Sequence, residues 1–366
     1  MDFDTKSFFM AVAKSGRSLD AVPFCTVTVM PRILGDDAPG VAEATQLIAN
    51  GGLVALPTET VYGLGADASN PTAVARIFAA KGRPTDHPVI VHIARSEAVD
   101  EWATDISEDA RLLAAKFWPG PLTLVLPRRS HVDPVVTGGL ETVGLRVPNH
   151  PVFAAILQGL TEQQGRSAGI AAPSANRFGR VSPTTAAHVL EDLADFLDPQ
   201  TDALVDGGPC AIGVESTIVD CTGGVPMILR PGGLSIDLIA EVLNGRLTRS
   251  AVGQSRAPGM LAAHYAPNAI VEIVDVHTAL ERIEHYAGQR IGLLSDQSFA
   301  VPSHIIRVDA PMPYTASNLA PRLYARLRDA DHSNLDVLLV IPPNEDGLSA
   351  AILDRLARAA TGSKSR

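Results

Sequence analysis

The sequence predicts a mixed α/β protein of two domains, and three observations lead there. At 366 residues the chain exceeds one ordinary domain. Apolar residues make up 46% of it and charged residues 19%, which supports a sizeable core and excludes a wholly disordered chain. Short apolar runs alternate with helical patterns from Val41 to Leu234 and again from Asn268. Between them, from Asn244 to Pro267, Arg, Ser, Gly and Pro replace the periodicity, as in a linker.

In the first domain, Val41–Asn50 reads as a helix stopped by Gly51 and Gly52, glycine being common just past a helix end. Leu53–Leu56 is a short apolar strand ending at Pro57. Asn70 as N-cap and Pro71 in the first turn open a helix to Ala80, which Gly82 and Pro84 close. Pro88–His92 reads as a buried strand, followed by strands at Leu122–Leu126, Val143–Val147 and Gly169–Ala172. Ser182 and Pro183 open a helix expected over Thr184–Leu197, and Val214–Cys221 alternates enough to be a strand. In the second domain, strands Ile270–Val274, Arg290–Leu294 and Val337–Ile341 alternate with helices Thr278–Tyr286, Ala316–Asp329 and Leu348–Ala360. That alternation implies a small parallel sheet covered by helices. At the amino terminus the apolar patch Phe8–Ala13 is too short for the core of a secretory signal.

Composition narrows the function. The formal charge is −10, from 40 acidic and 30 basic residues, whereas a whole-surface nucleic-acid binder is normally basic. Any anion site must therefore be local. Three cysteines, Cys25, Cys210 and Cys221, make no disulfide framework and suit a reducing compartment. Apolar runs stop short of the roughly 18 residues of a membrane span. A cytoplasmic protein without a membrane anchor is expected.

Gly63–Ala68 formally matches a dinucleotide fingerprint, but Thr58–Tyr62 separates it from the preceding strand and Ser69-Asn70-Pro71 from the next helix. It reads as a turn, and nicotinamide binding is not expected. The chain contains no Walker phosphate loop. Lys81-Gly-Arg83-Pro84 places two cations on a tight turn at a helix end, where lysine offers a point charge and arginine bidentate contacts to phosphate. A bare basic pair there also serves simply to offset the helix dipole. His92 falls at the carboxyl end of a strand, where open α/β sheets hold ligands, and His87 precedes the same strand. No carboxylate or cysteine follows them at a zinc-ligand spacing, so no protein-held metal is expected. Ala172-Pro-Ser174-Ala-Asn176 and the helix start at Ser182 gather donors suited to an anion. Ser174 lacks a nucleophile elbow, which argues against a serine hydrolase. Val214–Ile218 puts polar residues on an apolar strand, and polar groups there need partners. Arg146 and Arg230 stand at further strand ends. Together with Lys81 and Arg83 they argue for an anionic ligand.

Pro57–Gly65, Lys81–Pro84, Trp118–Thr123, Pro173–Asn176, Gly213–Ile218 and Leu229–Gly232 occur in the order that resembles the YrdC-like family. Ala257–Met260, His264–Pro267 and the second α/β region resemble its longer, two-domain form. The resemblance spans about Asp36 to Ala360. It implies an N-terminal extension over 1–35, a YrdC-like domain with an open cavity over 36–243, a linker over 244–267 and a small Rossmann-like domain over 268–366. It further implies synthesis of threonylcarbamoyl-adenylate and pyrophosphate from L-threonine, bicarbonate and ATP. That product feeds the N6-threonylcarbamoyladenosine modification of tRNA through a separate transferase complex, with weak tRNA contact at most.

By the same likeness, Lys81, Arg83, Ser174 and Asn176 form a catalytic set. Thr60, His92, Arg146, Ala172 and Ser216 would surround threonine. Arg83, His87, Thr142, Ser174, Ser182 and Arg230 would surround ATP, with Tyr265 reaching in from a linker that acts as a lid. His87 stands where many relatives carry Asn. Mg²⁺ would accompany the ATP phosphates. The rival readings are a related carbamoyltransferase, which the absence of Cys-rich zinc segments disfavours, and a non-catalytic RNA-binding module using a basic cavity.

Overall fold

The computed structural model describes residues 31–249, 265–343 and 346–364. Cys25 and most of the lid segment, including Met260 and Leu261, lie outside the described residues. Eleven strands form one mixed sheet: β1 (Arg32–Leu34), β2 (Val54–Leu56), β3 (Gly63–Asp67), β4 (Ile90–Ile93), β5 (Leu122–Pro127), β6 (Thr142–Arg146), β7 (Gly169–Ala171), β8 (Ala203–Val205), β9 (Thr217–Asp220), β10 (Met227–Arg230) and β11 (Thr248–Arg249). Their lateral order is β1-β8-β2-β3-β7-β4-β6-β5-β9-β10-β11. The second sheet has β12 (Ile270–Ile273), β13 (Ile291–Leu294), β14 (Ile306–Arg307) and β15 (Val337–Val340) in the order β12-β15-β13-β14. Its pairs are all parallel, as the alternation of strand and helix requires.

Local chemistry explains the elements that held. Asn70 accepts the Ala73 amide at 3.1 Å, Pro71 opens the helix, and Gly82 ends it in the left-handed region at φ 62°. Helices 38–49 and 151–164 pack over the β1–β8–β2 end through Leu34, Ala44, Ile48, Phe153, Ile156 and Leu160.

Four expectations change. Gly63–Asp67 is a strand rather than a turn, paired antiparallel with β2. It is built where a Cβ on Gly65 would lie 2.9 Å from Ile170, so its glycines permit close strand contact rather than a phosphate turn. The helix expected from Thr184 begins at Ala186, because the Thr185 hydroxyl caps the His188 amide, and gives way to a 3₁₀ turn after Leu193. The strand expected over Val214–Cys221 shrinks to Thr217–Asp220, leaving Val214–Ser216 as an extended approach. The helix expected over Ala316–Asp329 splits into Ala316–Leu319 and Leu323–His332 around Pro321, whose missing amide and ring interrupt the ladder.

A shared apolar cluster joins the two sheets: Val61, Val181 and Val214 pack with Tyr265, Tyr324, Leu327 and Leu356. Gly213 makes this approach possible. Its φ is +75°, and a Cβ there would sit 2.3 Å from the Pro321 Cα.

Candidate active site

Strand register gathers the site. β4 and β6 run parallel with His92 opposite Arg146. β5 is antiparallel to β6 and parallel to β9, which is antiparallel to β10. The end of β6, the start of β9 and the end of β10 therefore share one edge of the sheet. That edge carries Arg146, Ser216 and Arg230, with an irregularity in the β9–β10 pairing next to Arg230. The Thr58–Val61 loop closes the side: the Thr58 hydroxyl donates to the Val61 carbonyl at 2.7 Å and accepts the Thr60 amide at 3.0 Å.

The resulting cavity is lined by Thr60, His92, Arg146, Ala172, Ser174, Glu215, Ser216 and Arg230 among others. Its volume is about 50 Å³. A larger hollow of about 890 Å³ between helices 38–49 and 151–164 has no cation in its lining.

Each cation is held by the protein. The Arg146 Nη2 lies 2.7 Å from the Glu59 carboxylate and its Nε donates to the Gly120 carbonyl at 3.2 Å. Arg230 Nη2 donates to the Ser216 carbonyl at 2.8 Å, and the Ser216 hydroxyl lies 2.8 Å from that of Thr123. Lys81 is buried, not displayed on a turn as the sequence suggests, because its side chain reaches back across the loop to donate to the Ser174 and Asn176 carbonyls, each at 2.5 Å. Lys81 therefore shapes the Ser174–Asn176 turn. Asn176 adds bonds from its side-chain amide to the carbonyls of Arg177 and Arg180, each at 2.8 Å. Arg83 donates to the Pro88 carbonyl at 2.9 Å.

Burial sets the electrostatics. It pushes the Lys81 ammonium well below its ordinary value, with the neighbouring Arg83 charge acting the same way. Burial also brings Arg83 down to about 10, which leaves it a cation at neutral pH. Burial, then the Arg146 charge, brings His92 down to about 3. His92 is thus a neutral hydrogen-bonding group at neutral pH, too weakly basic to carry protons efficiently. Glu215 behaves oppositely: burial pushes it up, but Arg355, then Arg230 and the Ser182 hydrogen bond, hold it down at about 2.

The remaining expected residues are not in the lining of this cavity. Ser182 is buried and donates to Glu215 at 2.6 Å. Tyr265 is buried against Tyr324, ring centroids 5.6 Å apart, with the Arg355 guanidinium 5.2 Å from its ring centroid. His87 sits on the surface turn with its ring edge against Phe178 at 5.6 Å. Thr142 begins β6, opposite Pro127 and at the other end of that strand from Arg146.

Sequence reasoning passed over Glu59, Tyr324 and Arg355, and marked Glu215 only as one of the polar residues in Val214–Ile218 that need partners. A signal existed for Arg355: it shares a buried helical face with Ile352, Leu356 and Ala359, where arginine is out of place unless paired.

Two family models match the chain. The Sua5/YciO/YrdC family model, described as telomere recombination, matches residues 46–232. The model described as threonylcarbamoyl-AMP synthase, C-terminal domain, matches residues 234–361. A threonylcarbamoyl-AMP synthase of Pyrococcus abyssi is 41% identical over 329 residues, covering 86% of this chain and 92% of that protein. One from Bacillus subtilis is 39% identical over 343 residues, covering 90% and 95%. The crystal structure of P. abyssi Sua5 complexed with L-threonine superposes with a TM-score of 0.80 at 38% identity, covering 92% of this chain and 98% of that one. The ordered motifs, the cation-lined strand edge and these matches over both regions place the chain in the Sua5/YciO/YrdC family, in the form that carries the Sua5 C-terminal domain.

Proposed function

We propose that the chain is a threonylcarbamoyl-AMP synthase that uses L-threonine, bicarbonate and ATP. The convergence of Arg146, His92, Ser216 and Arg230 on one cavity carries this reading, supported by the threonine complex of its P. abyssi relative. Arg146 takes the threonine carboxylate. Its Nε and Nη2 already face Gly120 and Glu59, so the incoming carboxylate shares or displaces Glu59 on the remaining fork. Thr60, neutral His92, Ser216 and the Ala172 backbone orient the rest of the amino acid. Arg83 and Arg230 face the phosphates, with Ser174, Ser182, His87, Thr142 and Tyr265 completing the nucleotide side.

In this reading the threonine amine attacks carbon dioxide, or bicarbonate with loss of water, and forms a C–N bond. A carbamate oxygen then attacks the α-phosphorus, and the bond to pyrophosphate breaks. The step is a nucleotidyl transfer. It needs no protein nucleophile, and the chain's own contribution is positioning and charge stabilisation. Mg²⁺ would ride on the nucleotide: Glu59 and Glu215, the carboxylates beside the cavity, are each engaged by an arginine, and no cluster of metal-ligating side chains exists among the described residues. The product would pass to a tRNA-modifying transferase in the cytoplasm; among the described residues no helix is long and apolar enough to cross a membrane. The test is nucleotide product analysis. Adenylate and pyrophosphate should form only when threonine, bicarbonate, ATP and Mg²⁺ are all present, and equal ATP turnover without threonine would refute the reading.

A further inference from the structure

The wall of the cavity at Glu215 is held from outside the large-sheet region. Glu215 is 6% exposed. One carboxylate oxygen accepts the Ser182 hydroxyl at 2.6 Å; the other accepts the Tyr324 hydroxyl and Arg355 Nε, each at 2.7 Å. Tyr324 lies on helix 323–332 and Arg355 on helix 349–364, both packed with the small sheet. Arg355 is fully buried, bonded also to Asp354, with its guanidinium 5.2 Å from the Tyr265 ring centroid. Beside it, Arg328 Nη2 donates to the Val181 carbonyl at 2.6 Å, one residue before Ser182. The neighbouring Ser216 carbonyl is the one that anchors Arg230.

We propose that Arg355 and Tyr324 are positioning residues for the nucleotide side of the cavity, acting through Glu215 on Ser182 and Arg230. Simple docking of two domains would be served as well by apolar packing, since a buried ion pair contributes little net stability. Here the ionic groups sit where the shared apolar cluster meets the cavity wall, and they fix a carboxylate in both orientation and charge. An ionised Glu215 is acceptor-only, so it directs the Ser182 hydroxyl hydrogen toward itself and counterbalances Arg230. This assignment rests on the proposed synthase reading for the identity of the ligand.

The test uses the full chain. Arg355→Met should weaken ATP, by titration and by KM, by about tenfold, comparable to losing one charge-assisted hydrogen bond, while threonine affinity stays within about twofold. Glu215→Gln/Arg355→Met should recover part of the thermal stability, because the carboxylate that Arg355→Met strands is gone, without recovering ATP affinity. Tyr324→Phe removes a single hydroxyl and serves if Arg355→Met does not fold; it should shift ATP alone, by about threefold. A folded variant with unchanged ATP affinity, or one losing ATP and threonine equally, overturns the proposal. Failure of the wild-type chain to make a threonine-dependent adenylate overturns instead the synthase reading, and the ATP titration still judges the positioning.

Discussion

Arg146→Met should destabilise the protein before any substrate is considered. Arg146 and Glu59 side chains are 5% and 9% exposed and 2.7 Å apart. Neither Glu59 oxygen has an aligned hydrogen bond, so the arginine charge is its main compensation among the described residues. Removing one member of a buried pair costs about 3–5 kcal/mol, because the other charge is left in a poorly solvated site. With a urea m-value of about 1–3 kcal/mol/M, the unfolding midpoint of this part of the protein should fall by 1 M or more. Glu59→Gln/Arg146→Met removes both charges and should recover most of the loss, giving a coupling energy of about 2 kcal/mol or more in a double-mutant cycle. Urea unfolding followed by far-UV circular dichroism and by tryptophan fluorescence measures all four proteins. A single-mutant cost below about 1 kcal/mol, or a double mutant no more stable than Arg146→Met, would refute the claim that this pair is an electrostatically coupled part of the wall. If the claim holds, the threonine affinity of Arg146→Met must be read at a temperature where the variant is still folded.

Other outcomes follow from the same geometry. In calorimetric titrations, Arg83→Ala should lose ATP chiefly and Arg146→Met should lose threonine chiefly; equal loss of one ligand by both would contradict the division of the cavity. Lys81→Met leaves two carbonyls of the Ser174–Asn176 turn without their donor, costing about 1–3 kcal/mol for each left unsatisfied, so it should lower both melting temperature and kcat. Burial holds His92 at about 3 and His188 at about 4, below the ordinary 6.5. The unfolded chain therefore binds protons that the native one refuses, and stability should fall as pH drops from about 6.5 toward 4; His92→Gln should flatten part of that slope in melts run against pH. Burial pushes the Cys210 and Cys221 thiols up to about 12, so neither should react with iodoacetamide at pH 8 until the protein is unfolded, as peptide mass mapping would show.

Elements whose signals are local are legible in residue order alone. Asn70, Pro71 and Gly82 write the start and stop of one helix in residue types that act within a turn, and the alternation after Asn268 specified a parallel sheet because parallel strands require crossover helices. The motif order also carried the family, because its segments fall within the two matched regions. Tertiary structure alone decided what those residues touch. Gly63–Asp67 became a strand because β2 and β7 flank it, a contact invisible in its own composition. Lys81 became a buried support for Ser174 and Asn176, about ninety residues away in the chain. Glu215 is held ionised chiefly by Arg355, 140 positions further on, with help from Arg230 and Ser182. Hydrogen bonds and Coulomb interactions act over a few ångströms of space, and sequence separation carries no record of which distant groups the folded chain brings within that range.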